Sequence, residues 1–140
     1  MLYLLDTNIL LAYARLSKLY LSLEASLHPW TLTPDPIISV VSVAEIRTLA
    51  SEFAWGPAKR HLMEQVLEWF VAVPLPFDNI VDSYVQVSEH SRHQGRTIGK
   101  NDLWIAATAI STGATLLTTD KDFDHLHPLL LNRHWINPAA

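Results

Sequence analysis

The chain has 140 residues, of which 49% are hydrophobic, 9% aromatic and 17% charged, with 10 basic against 14 acidic residues and no cysteine. Such a composition excludes a disordered or fibrous chain and fits one globular domain over residues 1–140, long enough to bury about two thirds of its unfolded surface. A net charge of −4 excludes nucleic-acid binding through a bulk positive field, and the lack of cysteine removes disulfides, thiolate zinc sites and a cysteine nucleophile together.

Leu2–Leu5 reads as a short buried strand that ends at Asp6, and Ile9 to about Leu27, free of glycine and proline, as one or two helices. Three prolines between His28 and Pro36 impose a loop. Ile37–Val41 is a β-branched second strand, and Ser42-Val43-Ala44-Glu45 has the form of a capping box opening a helix through about Phe53. After the Trp55-Gly56-Pro57 turn, helical spacing resumes from Ala58 to about Phe70, followed by a third strand over Val71–Leu75 and a helix from Asn79 to about Gln94. A glycine-flanked loop leads to a largely buried helix from Asn101 to Gly113, a fourth strand over Ala114–Thr119 and an acidic turn over Asp120–Leu126. His134–Asn137 suggests a last edge strand. No stretch approaches the roughly 20 apolar residues of a membrane span, and Asp6 breaks the first apolar run with no basic segment before it, so a cytoplasmic protein is expected.

Strands alternating with helices imply an α/β fold with a parallel sheet of four to five strands covered on both faces. In such a fold every strand ends at the same edge. Asp6 and Asp120 then end strands one and four, and Glu45 opens the helix after strand two. Asp102 opens the helix that runs antiparallel into strand four; helix and strand each cover roughly 15 to 17 Å, so Asp102 comes level with Asp120. Any one of these acids has an ordinary use as a cap or helix-dipole partner. Four together cannot all stay ionised without a compensating cation. With no cysteine available, the ion is a hard one, Mg²⁺ or Mn²⁺, singly or as a pair, and the reaction class is metal-assisted phosphodiester hydrolysis. Setting those four acids aside leaves the remaining surface neutral. Thr7, Asn8, Thr118, Thr119 and Asn101 flank the acids as hydrogen-bonding supports.

The segments Leu5-Asp6-Thr7-Asn8, Ser42-Val43-Ala44-Glu45-Ile46, Gly99-Lys100-Asn101-Asp102-Leu103-Trp104 and Leu117-Thr118-Thr119-Asp120-Lys121-Asp122-Phe123 occur in this order over residues 1–126. As an ordered set they resemble the PIN-domain ribonucleases, most closely the VapC-type toxins of bacterial toxin–antitoxin pairs. The resemblance implies a three-layer α/β/α fold with strand one central and an Mg²⁺- or Mn²⁺-dependent endoribonuclease that inhibits translation. It also implies a homodimer and a small VapB-type antitoxin as partner. Residue by residue, Asp6, Glu45, Asp102 and Asp120 match the family's acidic quartet, with Asp122 a neighbouring, water-mediated contributor.

Arg92, Arg96, Lys100 and Lys121 rim the acids and are the candidate RNA phosphate contacts. His125, His127 and His134 do not have the spacing of a tetrahedral zinc site and are expected to be structural. Two other readings compete: an acidic-pocket phosphoryl-transfer or phosphoacceptor protein, which needs a second acid beside Asp6 that Thr7 and Asn8 do not supply, and a PIN-like module acting mainly through partner binding.

Overall fold

The computed structural model describes residues 1–139. The elements in chain order are β1 (Tyr3–Leu5), α1 (Thr7–Arg15), α2 (Lys18–Ser26), a 3-10 turn (Pro29–Thr31), β2 (Ile37–Ser39), α3 (Val40–Glu52), α4 (Pro57–Glu68) and β3 (Val71–Val73). There follow α5 (Ile80–His93), α6 (Lys100–Thr112), β4 (Thr115–Thr118), a second 3-10 turn (Lys121–Leu126) and β5 (Arg133–Trp135). The five strands form one sheet in the order β3-β2-β1-β4-β5, every pair parallel, with β1 at the centre.

Alternation along the strands sorts the apolar side chains into two cores. Leu5, Ile38 and Leu117 face one side, where Ile9, Leu10, Tyr13, Ile46, Met63 and Val66 from α1, α3 and α4 cover them. Leu4 and Leu116 face the other, against Val87 of α5, Leu103, Ile105 and Ala106 of α6, and Phe123 and Leu126 of the second 3-10 turn. A sheet buried on both faces explains why its strands read as continuous apolar runs. Emptying either layer is costly: Leu4, Leu5, Leu116 and Leu117 are fully buried, and truncating one such leucine to alanine costs roughly 2–5 kcal/mol.

The register decides what meets at the carboxyl edge. Leu5 pairs with Leu117, and the Asp6 N–H donates to the Leu117 carbonyl at 2.9 Å, so Asp6 and Thr118 come side by side. α6 ends at Gly113, whose φ of +71° lies in the left-handed region where glycine is unstrained. That turn reverses the chain into β4 and brings the first turn of α6 level with the end of β4.

The expected capping box at Ser42 and Glu45 is not what opens α3. Ser39 is the cap: its backbone is extended and its hydroxyl accepts from the Val41 N–H at 3.0 Å. β2 therefore stops two residues early, and Val40 and Val41 begin the helix despite their β preference, because capping and burial of Val41 against the α5–α6 layer outweigh propensity. Ser42 becomes a fully buried residue of the first turn and Glu45 moves into the second. The last strand also starts one residue and stops two residues earlier than its sequence suggests, at Arg133–Trp135.

Candidate active site

Asp6 is the cap of α1 and is only 4% exposed. Both of its oxygens are engaged: Oδ1 accepts from the Thr7 N–H at 2.8 Å and Oδ2 from the Thr118 hydroxyl at 2.6 Å. Thr118 in turn accepts from the Asp120 N–H at 2.9 Å, and Asp120 Oδ1 accepts from the Asp122 N–H at 2.8 Å. One hydrogen-bonded path thus runs from the central carboxylate to the acidic turn.

On the other side, Thr7 Oγ1 lies 2.7 Å from Glu45 Oε1 and 2.9 Å from Ser42 Oγ. A hydroxyl has one proton and a carboxylate only accepts, so Thr7 donates to Glu45 and receives the Ser42 proton. The displacement of Ser42 and Glu45 within α3 is what allows this. With Ser42 on the inner face of the first turn, Glu45 falls on the turn that overlooks Asp6.

Asp102 stands in the first turn of α6, half-buried. One carboxylate oxygen each from Asp102, Asp120 and Asp122 lie within 4.8 Å of one another, the spacing of ligands around a single cation. Asp6 and Glu45 lie outside that tightest trio but within its field. Burial raises the Asp102 carboxyl to a pKa of about 7, helped by Asp6, Asp120, Glu45 and Asp122. Burial likewise raises Asp6 to about 6, with Asp120 and Glu45 adding to the rise and the Thr118 and Thr7 hydrogen bonds opposing it. Acids that resist ionisation because they are buried and, secondly, because they crowd one another form an all-oxygen donor set that suits a hard divalent cation.

The supporting residues divide. Thr7 and Thr118 grip acids directly, whereas Asn8 reaches only Thr119, its Nδ2 donating to Thr119 Oγ1 at 3.3 Å. Asn101 is exposed and lines, with Glu45, Thr48 and Glu52, a groove of about 370 Å³ beside the acids. Among the candidate phosphate contacts, Arg92 and Arg96 line a second groove of about 450 Å³ with Ser88, Thr97 and Ile98. Lys100 is exposed at the first position of α6, and the Lys121 ammonium lies 4.8 Å from the centre of the Trp135 ring. The indole N–H of Trp135 is fixed by the Thr119 carbonyl at 3.0 Å.

Two histidines pack at the acidic turn. His125 Nε2 lies 2.8 Å from Ser91 Oγ, and His90 Nε2 lies 3.2 Å from the His125 carbonyl oxygen. Sequence reasoning misses Ser91 and His90 altogether, since a serine and a histidine on a helix 30 residues upstream carry no signal of where they dock. His127 Nδ1 accepts from the Arg133 N–H at 3.0 Å.

A five-stranded parallel sheet with carboxylates gathered at its carboxyl edge is the architecture of a PIN domain, and residues 3–127 match the model of that family. The chain belongs to the PIN-domain family. It is 30% identical over 135 residues to Ribonuclease VapC1 of Haemophilus influenzae, spanning 92% of this chain and 95% of that one. It is similar also to Toxin FitB of Neisseria gonorrhoeae, 33% identical over 91 residues, 61% of this chain and 66% of that one. The solved structure of VapBC-1 from nontypeable Haemophilus influenzae superposes with a TM-score of 0.74 at 28% identity, covering 96% of this chain and 98% of the matched chain.

Proposed function

We propose that this chain is a metal-dependent endoribonuclease that hydrolyses RNA phosphodiester bonds as the toxin of a VapBC-type toxin–antitoxin module. The observation that carries the reading is the meeting of Asp102, Asp120 and Asp122 within ligand distance beside the buried Asp6, on a chain similar along most of its length to a named ribonuclease. The likeness to the solved VapBC-1 structure supports a VapB-type antitoxin as partner, and the proposal further takes inhibition of translation as the outcome, a homodimer and a cytoplasmic setting.

Asp6, Asp102 and Asp120, with Glu45 and Asp122 beside them, are the residues that would hold one or two Mg²⁺ or Mn²⁺ ions. When bound, such an ion activates water and neutralises charge that develops on the scissile phosphate. The chain's own part is to hold its ligands still. Thr118 and the Thr7 N–H fix both oxygens of Asp6, the Thr7 hydroxyl turns Glu45 Oε1 toward the site, and the Asp122 N–H fixes Asp120 Oδ1. Preorganised ligands lose little freedom when the ion and substrate arrive. Arg92, Arg96, Lys100 and Lys121 supply phosphate contacts around the scissile bond, and the groove along Glu45 and Asn101 offers the RNA a path across the edge of the sheet. A phosphoacceptor role for Asp6 finds no support, because Thr7 and Asn8 follow it where such chemistry needs a second acid.

The test uses protein freed of metal with EDTA and incubated with bulk cellular RNA, with and without added Mn²⁺ or Mg²⁺. Wild type should cut RNA only when the cation is restored, and Asp6→Asn should not cut under either condition. Cleavage that persists in EDTA, or in Asp6→Asn with Mn²⁺ present, rejects the assignment.

A further inference from the structure

Two of the three carboxylates at ligand distance come from one short segment, the 3-10 turn Lys121–Leu126 and its cap Asp120. A 3-10 turn of six residues does not maintain its own shape, because its hydrogen bonds are poor and its side chains eclipse. Its neighbours must therefore set the angle at which Asp120 and Asp122 face Asp102. Phe123 and Leu126 anchor its apolar side and are fully buried. Arg133 Nε approaches Asp124 Oδ1 to 2.9 Å as an ion pair without hydrogen-bond alignment, and this grips an exposed end of the turn.

The polar side is held by α5. His125 belongs to the turn itself, and its Nε2 lies 2.8 Å from Ser91 Oγ. Ser91 is 1% exposed, so the contact is made away from water. His90 completes the clamp: its Nε2 meets the His125 carbonyl at 3.2 Å, and the two imidazoles lie parallel, 1° apart in plane, with centres 6.2 Å apart. The two contacts hold the ring and the backbone of His125 in the turn whose Asp122 belongs to the acidic trio.

We propose that Ser91 is a positioning residue for the cation site, acting through His125 to hold the backbone that presents Asp122 and Asp120. The inference rests on the metal-dependent assignment of the site and adds to it a residue on α5 with no contact to any of the acids. The hydroxyl restricts the ring to one orientation, and the ring restricts the turn. Groups bonded directly to a metal's ligands typically affect its affinity by about 10- to 100-fold when lost, and a group one contact further out belongs at the lower end of that range.

The experiment titrates Mn²⁺ calorimetrically into metal-free full-length wild type, Ser91→Ala, Ser91→Thr, His125→Phe and Val87→Ala. Val87 is a fully buried residue of the same helix, so its truncation reproduces a general loss of α5 packing without touching the polar clamp. Ser91→Ala should bind Mn²⁺ at least about tenfold more weakly, with RNA cleavage restored at high Mn²⁺. Ser91→Thr, which keeps the hydroxyl, should recover most of the affinity, and Val87→Ala should bind as wild type does. His125→Phe keeps the flat ring without its nitrogens and should match Ser91→Ala; it decides the question by the same criterion if Ser91→Ala does not fold. Affinity within twofold of wild type in the folded variant, or an equal loss in Val87→Ala, overturns the inference alone. A wild type that takes up no Mn²⁺ overturns both the inference and the site assignment beneath it.

Discussion

The Thr118 hydroxyl donates to Asp6 Oδ2 at 2.6 Å across 112 residues of chain, and Thr118 Oγ1 itself accepts the Asp120 N–H at 2.9 Å. One small side chain on the central edge of the sheet therefore binds two of the four acids. Thr118→Val keeps the shape and removes the hydroxyl, leaving Asp6 Oδ2 and the Asp120 N–H without that partner. The metal-free protein should lose about 1–3 kcal/mol of stability and bind Mn²⁺ about tenfold more weakly, measured by urea unfolding and calorimetry. If both quantities stay at wild-type values, the hydroxyl does not organise the site.

Asp6→Asn should separate stability from function. The Thr7 N–H keeps an oxygen to donate to, and the new amide can donate to Thr118 Oγ1, so the fold loses little there. It gains relief from the Asp120 and Glu45 charges that oppose the Asp6 carboxylate. At pH 8 without metal, the Tm of Asp6→Asn should equal or exceed that of wild type, while the Tm increase produced by Mn²⁺ disappears. Thermal scans with and without MnCl₂ check this. A variant that melts well below wild type in EDTA would show that the carboxylate supports the fold and not a cation.

The site was legible in the sequence to the extent that it depends on strand order. Asp6, Asp102 and Asp120 follow from where a parallel sheet ends its strands, and the alternation of Leu4 with Leu5 and of Leu116 with Leu117 implies a sheet covered on both faces. Glu45 reaches the expected edge by a different local route. Ser42 and Glu45 have capping-box spacing, but Ser39 caps first, and what brings Glu45 to the site is the Thr7 hydroxyl. The grouping of Asp122 with Asp102 and Asp120, and the docking of Ser91 on His125, depend on the conformation of a six-residue 3-10 turn. No periodicity encodes that, because the turn takes its shape from contacts with α5 and β5.

Without metal, the protein should lose stability as pH rises through the acidic range. Asp6 and Asp102 have ordinary carboxyl values of 3.8 in the unfolded chain and are raised to about 6 and about 7 in the fold, burial being the main cause in both. The unfolded chain therefore releases these protons first, near pH 4, and the folded chain keeps them until pH 6 to 7. The stabilisation from these two groups is complete below about pH 4 and is lost as pH climbs to about 7, by roughly 3 kcal/mol for Asp6 alone. Urea unfolding of metal-free protein between pH 4.5 and 8 measures the slope, which Asp6→Asn should reduce. Mn²⁺ binding at pH 6.5 should release protons, seen as a dependence of the calorimetric heat on buffer ionisation enthalpy. A stability that rises steadily from pH 4.5 to 7.5 in EDTA would contradict the raised values.

Asp120 and Asp122 should prove unequal. Asp120 is half-buried and bonded to both the Thr118 hydroxyl and the Asp122 N–H through its own backbone and side chain, whereas the Asp122 side chain is exposed. Asp120→Ala should therefore cost more than tenfold in Mn²⁺ affinity, and Asp122→Ala a smaller factor. The opposite order would make Asp122 the direct ligand and Asp120 chiefly the cap of its turn.

Substrate binding gives the last prediction. Arg96 is exposed on the groove it shares with Arg92, close enough to His125 for its charge to help lower that imidazole's pKa, so its guanidinium lies on the flank of the acidic turn. A contact to a single phosphate releases about one counterion. Arg96→Ala should weaken binding of a single-stranded RNA to Asp6→Asn protein and lower the slope of log affinity against log salt by about 0.7. The Asp6→Asn background prevents cleavage during the titration, and fluorescence anisotropy from 50 to 300 mM KCl reads both quantities. Weaker binding with an unchanged slope would mean that Arg96 shapes the loop between α5 and α6 without touching the RNA backbone.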